Sequence, residues 1–252
     1  MPRPSAWIRG ETQNIPMIHF VSCPSPNHGP RPDGVPVEIL LLHYTGMPTA
    51  EAALARLCDP EAQVSAHYTV DEDGTVYAHV PEDRRAWHAG LGQWRGRSDV
   101  NSRSIGIEIV NPGHEFGYRP FPAAQMAAVA ELCLAIMGRH GITPENVLAH
   151  SDIAPARKQD PGELFDWPAL AALGIGLWPT PSQPDDKPGD MDGRCSYTDA
   201  EVADLLGRYG YDPLEPAALL AFQRHFHPEN LTGTADAETV RRLRALVRMT
   251  GR

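Results

Sequence analysis

Two histidines and an aspartate in this chain stand where a metal ion could be gripped. The polar loop His150-Ser-Asp-Ile-Ala-Pro-Ala-Arg157-Lys158-Gln159-Asp160 follows directly on a short apolar run, Val147-Leu148-Ala149. A second apolar run, Val37-Glu38-Ile39-Leu40-Leu41-Leu42, ends in His43. Neutral imidazoles and a carboxylate are standard zinc ligands, and an ammonium such as that of Lys158 suits a developing oxyanion. If the two runs are neighbouring strands, both histidines emerge at one end of a sheet. Asp160 then completes a three-ligand site with one position open for water. The chain has 11 histidines, so structural or surface histidines are the competing reading of the bare spacing.

The elements that must position these residues are legible as periodicities. Residues 37–43 are short and continuously apolar, as in a buried strand. Thr49 is placed to cap a helix running to about residue 57. Residues 66–71 and 75–80 read as a hairpin around Asp73-Gly74, a common tight-turn pair. Ser104–Val110 alternates: Ile105, Ile107 and Ile109 share one face, and Gly106 and Glu108 the other. Residues 122–140 carry an apolar stripe of Met126, Val129, Cys133, Ile136 and Met137, with Gly141 as the stop. A strand at 147–150 and a helix at 167–173 follow. Strands alternating with helices predict an α/β domain over residues 1–177, with a mixed central sheet flanked by helices.

Residues 178–194 are rich in Pro, Gly and Asp and read as a linker. Beyond it, over 195–252, the pattern becomes that of a small C-terminal three-helix domain. Thr198 and Glu201 form a capping box ahead of Val202, Leu205, Leu206 and Tyr209, and Gly210 ends that helix. Leu219, Phe222, Gln223 and Phe226 share a face of a second helix. Thr234 or Asp236 opens a third, with Val240, Leu243, Leu246 and Val247 inward.

Composition narrows the function classes. A chain of 252 residues with 42% hydrophobic and 21% charged residues is ordinary for a globular protein. A net charge of −10 argues against a nucleic-acid partner, whose protein surfaces are basic. No run approaches the ~18–20 apolar residues of a membrane span. Cys23, Cys58, Cys133 and Cys195 form no C-x-x-C pair, which argues against a zinc–cysteine or thioredoxin-like site. The first residues, from Met1, have no apolar signal core and no lipidation cysteine. The expectation is a cytoplasmic protein, the alternative being periplasmic or outer-membrane-associated if an export signal has been removed.

Several further motifs occur in a fixed order. Ser25-Pro26-Asn27 and Arg31-Pro32 precede His43-Tyr44-Thr45. Val64-Ser65-Ala66-His67-Tyr68 leads into Asp73-Gly74-Thr75-Val76-Tyr77. Ala86-Trp87-His88-Ala89-Gly90, Ser104-Ile105-Gly106-Ile107-Glu108-Ile109-Val110-Asn111 and Arg157-Lys158-Gln159-Asp160-Pro161-Gly162 follow. Over most of residues 18–175 the chain thus resembles the zinc-dependent N-acetylmuramoyl-L-alanine amidases of the type 2 family. The likeness is strongest to the AmiD-like branch, which carries a small C-terminal helical domain. The run Ala221-Phe222-Gln223-Arg224-His225-Phe226, then Gly233 and Glu238-Thr239, more loosely resembles a peptidoglycan-binding three-helix module. The alternative is a bundle that only packs on the first domain.

The resemblance implies one zinc ion per chain, held by His43, His150 and Asp160. It implies hydrolysis of the amide between the lactyl group of N-acetylmuramic acid and L-alanine, in peptidoglycan or (anhydro)muropeptides. Glu108 matches the family's catalytic glutamate, which takes a proton from the attacking water and passes it to the leaving nitrogen. Lys158 stabilises the tetrahedral oxyanion. Tyr44, Trp87 and His88 are expected to line the cleft, and Arg97 and Asn111 to bind the sugar or a stem-peptide carboxylate. His67 fits a buried, hydrogen-bonded role as well as substrate contact. The rival readings are a non-catalytic peptidoglycan-recognition protein on the same fold and a zinc peptidase with the same ligands. If the C-terminal module is only tethered, its removal should spare hydrolysis of small muropeptides and weaken binding to sacculi.

Overall fold

The structure, a computed structural model, describes residues 18–179 and 197–252. Residues 1–17, Cys195 and, apart from Trp178 and Pro179, the expected linker lie outside the described residues.

Six strands form the central sheet. In chain order its strands are β1 (Phe20–Ser22), β3 (Ile39–Tyr44), β4 (Tyr68–Val70), β5 (Val76–Ala78), β7 (Ser104–Ile109) and β8 (Val147–Ala149), and in space they run β1-β5-β4-β7-β3-β8. Strands β4, β7, β3 and β8 are mutually parallel, and β5 is antiparallel to β4. The sheet is therefore mixed, as its alternating sequence pattern predicts. A separate antiparallel pair, β2 (His28–Pro30) and β6 (Arg84–Ala86), lies outside it.

Register does what the two apolar runs required. Leu42 lies opposite Ala149 on neighbouring parallel strands, so the next residues, His43 and His150, leave the sheet side by side. His43 also pairs in register with Glu108. Paired residues of adjacent strands face the same side, so Glu108 stands beside His43.

Helix α1 (Ala50–Cys58) starts where Thr49 accepts a hydrogen bond from the Ala52 N–H, and α3 (Ala123–His140) ends at Gly141. Two one-turn helices, α2 (Gly113–Phe116) and α4 (His150–Ile153), follow β7 and β8 directly. Residue 150 was expected as the last of a strand. It instead opens α4, because the Asp152 carboxylate turns back to accept the Ala149 N–H at 2.8 Å. Helix α5 (Trp167–Ala172) begins at an Asp166 cap.

The C-terminal helices are α6 (Asp199–Tyr209), α7 (Ala218–Phe226) and α8 (Ala237–Met249). Asp236, not Thr234, caps the last, accepting the Thr239 N–H at 2.7 Å.

These three helices share a core with the sheet. One sheet face, with Leu40, Leu42, Ile105, Ile107 and Ile109, packs on α3 through Val129, Leu132, Cys133 and Ile136. The opposite face, with Ile39, Leu41 and Leu148, belongs to a single cluster with Phe222, Phe226, Val240, Leu243 and Leu246. The strands are thus covered on both faces, as a largely parallel sheet requires. Full burial of each such Leu or Phe contributes about 1.5–3 kcal/mol. Gly210 marks the closeness of the contact: a Cβ there would lie 2.6 Å from the Trp94 indole, and its φ of +151° is one L side chains rarely adopt.

Burial on this scale makes the helices a structural layer as well as a separate sequence segment. Truncation after residue 194 should therefore lower the Tm markedly and raise binding of a hydrophobic dye. An unchanged melting curve would return the helices to the status of a tethered module.

Candidate active site

His43, buried in β3, and His150, at the start of α4, both turn Nδ1 toward the same point. The two Nδ1 atoms are 2.8 Å apart, and Asp160 Oδ2 lies 3.0 Å from the first and 2.9 Å from the second. All three residues are at most 5% exposed. Burial, reinforced by the neighbouring His150, holds His43 down at about 4, so its ring is neutral at physiological pH. Burial opposes ionisation of Asp160, but the two imidazoles outweigh it and hold the carboxyl well below the usual range.

The outer ring nitrogens are already committed. His150 Nε2–H donates to the Ala89 carbonyl at 2.9 Å, which leaves its Nδ1 a lone pair. His43 Nε2 lies 3.0 Å from His88 Nδ1, and His88 Nε2 lies 3.4 Å from Ser104 Oγ. The Ser104 hydroxyl in turn donates to the Val100 carbonyl. In the orientation consistent with this chain, His43 and His88 each donate from Nε2. Three electron-rich atoms then face one another, an arrangement a divalent cation relieves. Their spacing is a little under the roughly 3.3 Å separation of tetrahedral zinc ligands held at ~2.0–2.1 Å. The donor set and its hydrogen-bonded outer partners fit zinc.

His88 therefore does more than form a cleft wall. It borders the cleft and braces the outer nitrogen of His43. The Asn101 side chain accepts both the His88 and Ala89 N–H groups and fixes this segment. A Cβ on Gly106 would meet the His88 ring at 2.4 Å, so the bare glycine in β7 is what lets the ring lie there.

Glu108 lines the same cleft. Its Oε2 is buried with no hydrogen-bond partner among the described residues. Burial raises its pKa well above the usual carboxylate value and nearby Asp160 adds to the rise, while Lys158 opposes it. Lys158 also lines the cleft and forms no side-chain hydrogen bond or ion pair with a described residue. The cleft encloses about 370 Å³.

Tyr44 and Trp87 are placed in the cleft wall. The Tyr44 hydroxyl lies 3.0 Å from His114 Nδ1, and His114 Nε2 reaches Glu163 at 3.1 Å. Two expected substrate contacts stand elsewhere. Arg97 is exposed and ion-paired to Glu38 at 2.6 Å, outside the cleft lining. Asn111 is fully buried, donating to the Arg119 carbonyl at 2.7 Å and accepting the Gly113 N–H, so it shapes the α2 loop. His67 is also fully buried; its Nδ1 accepts the Gly106 N–H and its Nε2 reaches the Arg84 carbonyl.

Sequence reasoning missed two bracing residues. Arg157 donates to the carbonyls of Ala89 and Leu91, the first being the acceptor His150 uses. Asp152 accepts from the Tyr211 hydroxyl at 2.6 Å and lies 2.8 Å from His225 Nδ1, both partners coming from the C-terminal helical region. A carboxylate two residues after a strand end, placed to cap the turn, was the available signal for Asp152. Its partners, 59 and 73 residues on, gave none.

A profile of the N-acetylmuramoyl-L-alanine amidase family matches residues 33–163, which include every group of this site. N-acetylmuramoyl-L-alanine amidase AmiD of Escherichia coli K12 is 41% identical over 225 residues, covering 81% of this chain and 79% of that protein. The chain belongs to the N-acetylmuramoyl-L-alanine amidase family. The 1,6-anhydro-N-acetylmuramyl-L-alanine amidase AmpD of the same organism is 35% identical over 167 residues, 60% of this chain and 89% of that one. Among solved structures, E. coli AmiD in complex with the substrate anhydro-N-acetylmuramic acid-L-Ala-D-gamma-Glu-L-Lys superposes with a TM-score of 0.75 at 39% identity. That match covers 88% of this chain and 91% of the other. AmpDh3 of Pseudomonas aeruginosa in complex with anhydromuramic pentapeptide gives 0.76 at 33% identity, covering 85% and 92%. The chain is accordingly an amidase, and the non-catalytic reading falls away. Among the described residues no helix is long and apolar enough to cross a membrane.

Two outcomes test this geometry. Gly106→Ala should displace His88 and weaken zinc affinity by ~10–100-fold, the usual effect of losing an outer-shell partner; unaltered affinity would show His88 to be dispensable. Glu108→Gln should raise the Tm of metal-free protein near neutral pH. A carboxyl whose folded pKa is raised destabilises the fold once pH passes its unfolded value, and the penalty levels off above the folded one. The Tm gap should therefore open as pH rises from about 4. Equal melting of the two proteins at every pH would mean Glu108 is well solvated.

Proposed function

We propose that this amidase hydrolyses the bond between the lactyl group of N-acetylmuramic acid and L-alanine using one zinc ion held by His43, His150 and Asp160. The observation that carries this reading is the meeting of their three ligand atoms beside Glu108, whose buried Oε2 has no hydrogen-bond partner among the described residues. Zinc, when bound there, polarises the scissile carbonyl and acidifies the attacking water. The chain's own residues do the rest. Glu108 Oε2 accepts the proton of the attacking water and delivers it to the departing alanine nitrogen. Its raised pKa brings it closer to neutrality, where it can work in both directions. The Lys158 ammonium, unpaired among the described residues, stabilises the oxyanion. Tyr44 and Trp87 flank the substrate, and the braces on His43 and His150 keep the ligand atoms from turning away.

Anhydro-muropeptides are the proposed substrate class, supported by the solved complexes of relatives at 39% and 33% identity. The peptidase alternative makes a different product. An amidase releases a stem peptide beginning with L-alanine and leaves the sugar with a free lactyl carboxylate.

Chelation should abolish release of that peptide from a defined anhydro-muropeptide, and added zinc should restore it. Glu108→Ala should retain the metal and the fold yet lose on the order of 10²-fold or more in kcat, and Lys158→Ala should lower kcat with metal content intact. In the unaltered enzyme the rate should climb with pH as Glu108 ionises, on an acid limb above the ordinary carboxylate range. Near-normal turnover by Glu108→Ala, or full activity without metal, would refute the assignment.

A further inference from the structure

A second cluster of metal-type side chains lies away from the catalytic centre, where Cys23, Cys58 and His79 come together. Cys23 precedes β2 and Cys58 is the last residue of α1. Their Sγ atoms are 3.1 Å apart, and both are free thiols, partly exposed. The backbone around them is tied down. The Ser25 hydroxyl donates to the Leu57 carbonyl at 2.5 Å, and the Asn27 amide donates to the carbonyls of Asp59 and Val64 at 2.8 and 2.9 Å.

The geometry disfavours a metal. His79 Nδ1 lies 2.6 Å from the Cys23 carbonyl and 3.9 Å from Cys58 Sγ, so its proton points at the carbonyl. His79 Nε2 takes the Thr69 hydroxyl at 2.8 Å, and the ring has no lone pair left for a cation. Two thiolates sharing a tetrahedral zinc at ~2.3 Å would stand roughly 3.8 Å apart. The observed separation is well inside that.

We propose that Cys23 and Cys58 are a disulfide-forming pair that locks the segment before β2 to the end of α1. The oxidant class is a small-molecule or oxidoreductase disulfide. One cysteine thiolate attacks a sulfur of that disulfide and expels a thiolate, which takes up a proton. The second cysteine, as thiolate, then attacks the mixed disulfide and releases the other half as a thiol. Two thiols lose two electrons and two protons, and the incoming disulfide becomes two thiols. The bond closes a ring that contains His43. It also anchors α1, which supplies Ala53, Arg56 and Leu57 to the cleft wall. Such a bond persists in an oxidising compartment and is reduced in a glutathione-buffered one.

The test is oxidation of the folded full chain with oxidised glutathione, followed by unreduced digestion and mass spectrometry. Peptides bearing Cys23 and Cys58 should be linked with loss of two hydrogens, while Cys133 stays free. The oxidised protein should melt higher by roughly 5 °C or more, dithiothreitol should reverse the shift, and Cys58→Ser and Cys23→Ser should each lack it. The reduced variants should keep basal amidase activity. A lasting glutathione adduct on either cysteine, pairing of either with Cys195, or loss of a second bound zinc in Cys58→Ser would overturn the proposal.

Discussion

Three electron-rich atoms within 3.0 Å of one another, on nearly buried side chains, form an arrangement that a protein does not hold cheaply. Like lone pairs repel, and burial removes the solvent that would screen them. The surrounding structure is arranged to maintain this convergence. Ala89, His88, Ser104 and Asn101 occupy the outer nitrogens and the segment that carries their partners. Gly106 leaves the space that His88 fills. The repulsion makes a cation welcome, and the braces prevent the ligands from escaping it by rotation.

The sheet face that carries this polar group is continuous with an apolar one. Ile39 and Leu41 alternate with Leu40 and Leu42 along β3, and the side that ends in His43 is the side covered by the C-terminal helices. Those helices reach the ligand loop directly. Tyr211 and His225 hold Asp152, and Asp152 holds the backbone of Ala149, next to His150. A segment that reads as a wall-binding accessory thereby also buttresses the catalytic domain.

Glu108 shows the opposite economy. Its Oε2 lies buried with no hydrogen-bond partner among the described residues, a state that stability alone would not retain. A carboxylate satisfied by hydrogen bonds would be a poor proton shuttle, since its lone pairs and its pKa would both be committed. Lys158 follows the same logic, its ammonium unpaired among the described residues in the cleft of the proposed reaction.

Local chemistry made much of this legible in the sequence. The alternation in Ser104–Val110 put Glu108 opposite the isoleucines, the apolar runs before His43 and His150 specified buried strands, and Thr49, Gly141 and Thr198 marked helix ends. Each of these signals acts within a few residues, so each is written in the order of the chain. Tertiary structure decided the rest. Only the pairing of β3 with β8 brought His43 to His150. Only packing turned His88 into a brace, sent Asn111 into the core and left Arg97 with Glu38. The contacts of Asp152 with Tyr211 and His225, and of Cys23 with Cys58, join residues distant in sequence, and no local periodicity records them. The Asp152 contacts exist because the C-terminal helices cover one face of the sheet, and the thiol contact because Ser25 and Asn27 tie the segment after β1 to the end of α1.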